Sequence, residues 1–545
     1  MLPVHRLQMI LPIILLCLLP SIESYRIAVF APYNAGSQVI HYSRISTTLA
    51  DAGHNVVLYT VAFSADPVPV KTVANDRMRI VKLNAYTSEM NDDWQEIKHK
   101  HAKVAFLEHS TFDPRQFAVF GQILSLFHRG CEVLVNDNSF LQQFSNEKFD
   151  LVITPAFDPC SIGIAHIANI PARIVSSSGP LLDNMASAAG APMPPSYVPS
   201  PISPFSDVMT FPQRTISFIT SFLAPFLFKR SVSDPETALF RKVIRPDFPD
   251  LFDLFKNSSL YFVNTHELYD FAHPTTHRII NIGGLGMTVM DSDQIKFDEP
   301  FKKIVEKHDK IVLFSLGSVT NSSHMPVSWK KALLSSFVKF PNYLFLLRYE
   351  ARDLDNIIPK NVLLFKWLPQ TFLLNHPHVR AFISHGGFNS LQESLFAGKP
   401  IITIPLYGDQ FRNALIAEKH GFGYCLEKKH ITEKKIITAL HAVLEDPKYI
   451  NAASRMRAMM KKVPNRAEEL LVKFSEFAAE FKEFPNLVPY GTQLNFIQYY
   501  CIDVMLALGL IVLIALILLY HLIKNFCRLV KYLFHKTSSK KNKEE

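Results

Sequence analysis

The chain has 545 residues, of which 48% are hydrophobic and 19% charged; this is too long for one core and points to two large domains with appendages. The formal net charge of +9 is concentrated at the C-terminal end, leaving an ordinary balance for the body, so nucleic acid is not indicated as a partner. The six cysteines show neither metal spacing nor a disulfide framework.

Residues 1–24 read as a secretory signal: His5 and Arg6 precede an apolar run from Met9 to Leu19, and small residues lie near Ser24. That run is too short to span a bilayer. Residues 25–275 are expected to form a first domain. Tyr25 to Phe30 reads as a strand, followed by a loop with Gly36, a helical stretch to Ala52, a capping Gly53 and a strand from Asn55 to Val61. This is the start of a parallel α/β sheet. Phe149 to Thr154, ending at Pro155, reads as a later strand, with Ala156 to Ala168 as its loop and helix. From Gly179 to Arg230 the chain turns Pro-rich and aromatic with little charge, a composition that suits an apolar pocket, a lipid surface or core under long loops.

A linker is expected over 276–297 and a second doubly wound domain over 298–470, with strands at Lys310–Leu316, Tyr343–Arg348, Asn361–Phe365 and Arg380–Ser384. A helical segment over 471–503 leads to Val504–Ile523, where only His521 is ionisable; this stretch matches the length of a transmembrane helix. The tail, 524–545, carries Lys524, Arg528, Lys531, Lys536, Lys540, Lys541 and Lys543 against Glu544 and Glu545. The positive-inside rule places that tail in the cytosol and the folded body on the lumenal side. Its last residues, Lys541 to Glu545, look like a dilysine-type retrieval signal, the alternative being a solvated basic tail. Cys17 falls in the signal, Cys501 and Cys527 flank the membrane stretch, and Cys131, Cys160 and Cys425 lie in the body. Asn257-Ser258-Ser259 and Asn321-Ser322-Ser323 are glycosylation sequons if exposed in the lumen.

The densest chemistry lies between Lys366 and Asn413, KWLPQTFLLNHPHVRAFISHGGFNSLQESLFAGKPIITIPLYGDQFRN. The apolar strand AFIS ends in His385-Gly386-Gly387, and a helix is expected to start near Asn389-Ser390 and run through Glu393. A strand passing through paired glycines into a helix N-terminus exposes backbone N–H groups and a positive dipole end, which suits phosphate. His385 adds a charged or neutral hydrogen bond to the same place.

This stretch resembles the signature of UDP-glycosyltransferases, and of the UDP-glucuronosyltransferase family in particular. The resemblance extends to DAGHNVV, to GAPMPPSYVPSPISPFSDVMTFPQR on the acceptor side and to VPYGTQLNFIQYYCIDV before the anchor. It implies a GT-B-like α/β fold: an acceptor-binding Rossmann-like domain facing a UDP-sugar-binding one, with the reaction in the cleft, plus one C-terminal transmembrane helix. In that family the tryptophan matching Trp367 faces the uracil and the residue matching Gln370 hydrogen-bonds the nucleoside. His385, Gly387, Asn389 and Ser390, with Ser318 from FSLGS, would hold the diphosphate. Glu393 would accept from the ribose hydroxyls, and Asp409 and Gln410 would grip the sugar. The donor would be UDP-glucuronate or UDP-glucose as a co-substrate, without cofactor or metal, and the acceptor a small lipophilic molecule. A homo- or hetero-oligomer is compatible with this picture, as is a location in the endoplasmic reticulum membrane.

The family's direct displacement with inversion usually employs a base for the acceptor hydroxyl. The resemblance places that histidine sixteen residues before His54, where this chain has Gln38; an amide cannot take the proton. The carboxylate that would orient it should follow FDLVIT, where Pro155 stands. His41, three residues after Gln38, and Asp158, three after Pro155, are the nearby substitutes, each with a bland alternative as a core histidine or a helix cap. Two readings follow: an active transferase of restricted acceptor range, or a catalytically impaired relative that still binds UDP-sugar as a partner or regulator.

Overall fold

The computed structural model describes residues 24–33, 36–65, 76–107, 113–287, 297–318 and 320–541. The expected signal, apart from Ser24, lies outside the described residues, as do 288–296 of the expected linker and the last four residues of the tail.

Two parallel sheets organise the body. The first has seven strands: β1 (Arg26–Pro32), β2 (Asn55–Ala62), β3 (Met78–Asn84), β4 (Leu151–Pro155), β5 (Ala172–Ser177), β6 (Leu260–Val263) and β7 (Ile279–Asn281). Their order is β3-β2-β1-β4-β5-β6-β7. The second has six: β8 (Ile311–Ser315), β9 (Leu344–Arg348), β10 (Val362–Phe365), β11 (Val379–Ser384), β12 (Ile401–Thr403) and β13 (Gly423–Cys425), in the order β10-β9-β8-β11-β12-β13. The strands are short, nearly continuous apolar runs because both faces of each sheet are covered. Successive side chains enter different cores: Ala28 and Phe30 enter one, Ile27 and Val29 another, and in β8 Val312 and Phe314 part in the same way from Ile311 and Leu313.

In each sheet the order reverses beside the first strand, between β1 and β4 and between β8 and β11. Ligands of open α/β sheets bind at the carboxyl ends of strands at such reversals. Gln38 and Pro155 flank the first reversal, and Ser318 and His385 flank the second.

Three expectations need correction. The stretch assigned to a linker from 276 contains β7, paired with β6 through Tyr261 and Ile279; three residues are too few to announce a strand by pattern. The helix Ala467–Phe481 does not simply lead toward the membrane stretch, since Leu471, Ala478 and Ala479 share a core with Ile27 and Leu58 of the first sheet. Finally, Cys131 and Cys160 form a disulfide, Cα–Cα 5.8 Å, joining the helix Pro114–Asn136 to the start of the helix Cys160–Ile167. A separation of 29 residues matches no local spacing motif, so the pairing was invisible without the fold.

Residues 488–545 form a second compact unit. It contains the helix Ile502–Lys541, in which an 18-residue window within 502–536 has mean hydropathy 3.0 and is unburied. The expected span 504–523 lies within it, and the helix continues into the residues assigned to the tail. Residues 117–136 also reach membrane-spanning length and apolarity, but a third of that window is buried and it carries Cys131.

The two sheets are joined by buried polar contacts. Arg412 Nη2 lies 2.5 Å from Asp270 Oδ1, with the side chains 5% and 4% exposed. Gln392 Nε2 donates to Tyr269 Oη at 2.6 Å and to Asn264 O at 3.2 Å. Breaking a buried ion pair strands the remaining charge. Asp270→Ala is therefore expected to destabilise the body by about 3–5 kcal/mol, read as a lowered Tm in thermal unfolding; an unchanged Tm would show that the pair does not hold the sheets together.

Candidate functional site

At the carboxyl end of β11 the chain passes through His385-Gly386-Gly387 into the helix Phe388–Ala397. Gly386 has φ 79°, a left-handed conformation open to glycine, and a Cβ there would crowd Gln410 O at 3.3 Å. Gly387 caps the helix without any side-chain hydrogen bond, and its first turn holds no acidic residue. The leading N–H groups therefore keep their capacity for an anion.

The His385 ring is wedged between two glycines. A Cβ at Gly387 would lie 2.4 Å from His385 Nε2, and one at Gly317 would lie 2.5 Å from the same atom. Burial, then the nearby Arg348 cation, lowers its pKa to about 4. The imidazole is thus neutral near pH 7. The nearby cation is Arg348 at the end of β9, whose Nη1 donates to Gly317 O and whose Nη2 is ion-paired with Glu350 Oε1 at 3.1 Å. Sequence reasoning missed this residue; its signal was a lone cation ending the apolar strand LFLLR.

Trp367 is 65% exposed, so it is not a core tryptophan, and the Arg348 guanidinium sits 5.4 Å from its ring centroid. It presents a flat face beside the glycine turn, suited to stacking with a planar base. Three residues on, Gln370 Nε2 donates to Glu393 Oε2 and lies 3.4 Å from Ser390 Oγ, while Thr371 Oγ1 donates to Glu393 Oε1 at 2.9 Å. Gln370, Ser390 and Glu393 thereby meet on one helix flank. Asn389 is half-buried on the first turn of that helix, and Ser318 is half-buried beside Gly317 in the turn after β8.

Beyond β12, Asp409 occupies the N-cap position of the helix Gln410–Lys419 without a side-chain capping hydrogen bond. Asn413 Nδ2 donates to Asp409 Oδ2 at 2.8 Å and to Gly386 O at 3.0 Å, tying this turn to the glycine turn. Burial raises the pKa of Asp409. Gln410 Oε1 accepts from Leu406 N at 2.8 Å and Tyr407 N at 3.2 Å, so its carbonyl oxygen closes the turn rather than facing the cleft.

The first sheet contributes a different chemistry. Pro155 ends β4 opposite Ser176 of β5, and Gln38 is half-buried on the helix Gly36–Asp51. His41 is buried with Nε2 3.0 Å from Ser176 Oγ. Burial, then the Arg44 cation, lowers its pKa to about 3, which makes it a weak base. Asp158 Oδ1 accepts from Cys160 N at 3.1 Å, just ahead of the helix whose N-cap position is Pro159, and burial raises its pKa to about 6. The two substitutes thus face different partners. Asp158 and Pro155 border a small, mainly apolar cavity with Phe30, Pro32 and Phe63. Arg44, one turn beyond His41, feels the charge of Glu393 on the helix Phe388–Ala397 of the second domain.

Glu236, buried in the helix Asp234–Val243, interacts with Asp158. Burial first, then the Asp158 charge, raises its pKa well above the ordinary value. A carboxyl shifted upward on folding adds stability below its unfolded pKa, and that contribution is lost as pH rises through the folded value. Glu236→Gln is expected to raise the Tm at neutral pH and to leave it unchanged below about pH 4; a uniform effect across this range would contradict the assignment.

The family described as UDP-glucoronosyl and UDP-glucosyl transferase matches residues 28–542. The putative UDP-glucuronosyltransferase ugt-48 of Caenorhabditis elegans is 30% identical over 533 residues, 96% of this chain and 97% of that protein. Human UDP-glucuronosyltransferase 1A6 is 29% identical over 471 residues, 86% of each chain. Among solved structures, Os79 from O. sativa in complex with U2F and trichothecene superposes with TM-score 0.57 at 16% identity, covering 83% of this chain and 99% of that one. TcCGT1 in complex with UDP gives TM-score 0.55 at 13% identity, covering 85% and 100%. At these identities the structures bear on the fold alone, which is the GT-B arrangement of two facing α/β domains.

Proposed function

The chain belongs to the UDP-glucoronosyl and UDP-glucosyl transferase family, and from that premise we propose that it moves a hexosyl or glucuronosyl group from a UDP-sugar to small lipophilic acceptors, with inversion at the anomeric carbon. Transferases of this type use the UDP-sugar as co-substrate and need no cofactor. The observation that carries the proposal is the convergence, at the carboxyl ends of the second sheet, of an exposed indole, an uncapped helix N-terminus behind a glycine pair, and a carboxylate held by an amide.

Under this reading the uracil stacks on Trp367 near Gln370, Glu393 accepts from the ribose hydroxyls, and the diphosphate rests on Gly387, Asn389 and Ser390 with neutral His385, Ser318 and Arg348 nearby. Asp409 and the amide end of Gln410 face the sugar. Hydrogen bonds aimed at the departing UDP stabilise the charge that develops as the glycosidic bond breaks.

Gln38 and Pro155 leave the acceptor without the family's usual base, and His41, neutral and bound to Ser176, is poorly suited to replace it. General-base assistance is worth about 10² to 10⁴ in rate, so acceptors that are already nucleophilic gain most from the remaining machinery. With either UDP-sugar, the purified chain is expected to conjugate amines, carboxylates or acidic phenols faster than aliphatic alcohols, read by mass spectrometry of the products; faster turnover of aliphatic alcohols would reject this. The same two positions favour a second reading, a UDP-sugar-binding partner or regulator without transfer of its own.

We read the helix Ile502–Lys541 as the single membrane anchor, with the two domains on the lumenal side of the endoplasmic reticulum. The Cys131–Cys160 disulfide supports an oxidising compartment. Of the two sequons, Asn257 is exposed, whereas Asn321 Oδ1 already accepts from Ser323 N at 2.9 Å; Asn257 is the more accessible to glycosylation.

A further inference from the structure

The helix Phe211–Phe228 is built inside out. At 100° per residue, the exposed Phe218, Ile219, Leu223, Phe226 and Leu227 fan across about half of its circumference. The face turned to the body carries Ser217, which is fully buried, and Ser221; among the described residues neither hydroxyl oxygen has a hydrogen-bond partner. A helix surrounded by water orients the other way, and the chain itself supplies the comparison. After a π-helical turn at Lys229–Ser233, which shifts the helical phase, the helix Asp234–Val243 buries Leu239 and Phe240 and exposes Arg241 and Lys242.

The charge pattern identifies the medium. The helix Phe211–Phe228 contains no Asp or Glu; its one charge is Arg214, and after it come Lys229, which is ion-paired with Asp234 and Asp250, and the exposed Arg230. A protein partner covers a narrow stripe at i, i+3, i+4 spacing, whereas here neighbours in sequence, Phe218 with Ile219 and Phe226 with Leu227, are exposed together. A half-cylinder of apolar side chains with Arg214 near one end and Arg230 just past the other matches a helix lying in the interface plane of a bilayer. The chain also carries a bilayer-length apolar helix at 502–536, so a membrane is at hand. We propose that the helix Phe211–Phe228 is a second, peripheral membrane contact of the first domain, with its exposed face buried at the boundary between phospholipid headgroups and acyl chains. The tight loop-and-helix region that was expected to suit pocket, lipid or core is thereby assigned to lipid on its outer face.

The test uses the full chain with Cys17, Cys425, Cys501 and Cys527 replaced by serine and the disulfide left intact. Single cysteines, F218C, L223C, D355C and L513C, are labelled with an environment-sensitive fluorophore. The proteins are reconstituted in phosphatidylcholine vesicles with a minority of phosphatidylserine, with or without lipids bearing an acyl-chain nitroxide. The proposal predicts several-fold stronger quenching at 218 and 223 than at 355, the exposed control on the second domain. Quenching at 218 and 223 no greater than at 355 overturns it, as does excimer formation between copies at 218 in place of lipid quenching, which would make the face a dimer contact. L513C reports the anchor separately: if 218 is quenched and 513 is not, the anchor reading fails and the peripheral contact stands.

Discussion

Restoring histidine at position 38 together with aspartate at position 155 is expected to raise turnover of aliphatic alcohols by about 10² to 10⁴-fold while changing amine turnover far less. The two positions flank the strand reversal between β1 and β4, where an imidazole and a carboxylate can meet an acceptor at the mouth of the cleft. Gln38 is half-buried, so a ring placed there keeps access that His41, packed against Ser176, lacks. Pro155 donates no backbone hydrogen bond, so Pro155→Asp removes none. The carboxylate is needed because it holds the tautomer and stabilises the imidazolium. Comparing kcat for matched alcohol and amine acceptors in Q38H/P155D and the parent chain reads the effect. Equal acceleration of all acceptors would show that the substitution changed donor binding instead, and activity gained from a silent parent would favour the partner reading.

Gly387→Val is expected to weaken UDP binding by about 10²-fold or more, the equivalent of losing one or two hydrogen bonds to a charged group at about 1.5–3 kcal/mol each. Any Cβ at 387 would sit 2.4 Å from His385 Nε2. Either the ring leaves its slot against Gly317 or the helix start shifts, and both outcomes dismantle the anion cradle. Titration calorimetry on parent and variant measures the loss. Unchanged affinity in a folded G387V would place the nucleotide elsewhere.

The second domain was largely legible in the sequence because each strand is a compact apolar run closed by glycine, proline or charge. Ile311–Ser315 and Val379–Ser384 lie inside the expected ranges or within one residue of them. The grouping of most residues proposed for the cradle was legible because they cluster between Trp367 and Gln410, so local order along the chain stands in for proximity. What remained hidden depends on long-range contact: the Cys131–Cys160 pair, the return of the helix Ala467–Phe481 to the first sheet, and Arg348, which reaches Trp367 and Gly317 only through strand pairing. The helix Phe211–Phe228 was hidden for another reason. Pro225 interrupts its interior and apolar side chains cover its outer half, so neither the helix signal nor the usual inside-outside alternation is present. His41 shows the limit of spacing arguments: i, i+3 proximity to Gln38 says nothing of the Ser176 hydroxyl waiting on β5.

The account rests on a uridine diphosphate cradle at the carboxyl ends of β8, β10, β11 and β12. The most direct measurement is titration of UDP, with adenosine diphosphate as the control, into the full-length protein in lipid nanodiscs, alongside W367A. Saturable binding of UDP, weaker for the adenine nucleotide and reduced in W367A by the about 1–3 kcal/mol that base stacking contributes, is the predicted result. No measurable affinity of the intact chain for UDP, or equal affinity in W367A, would contradict it.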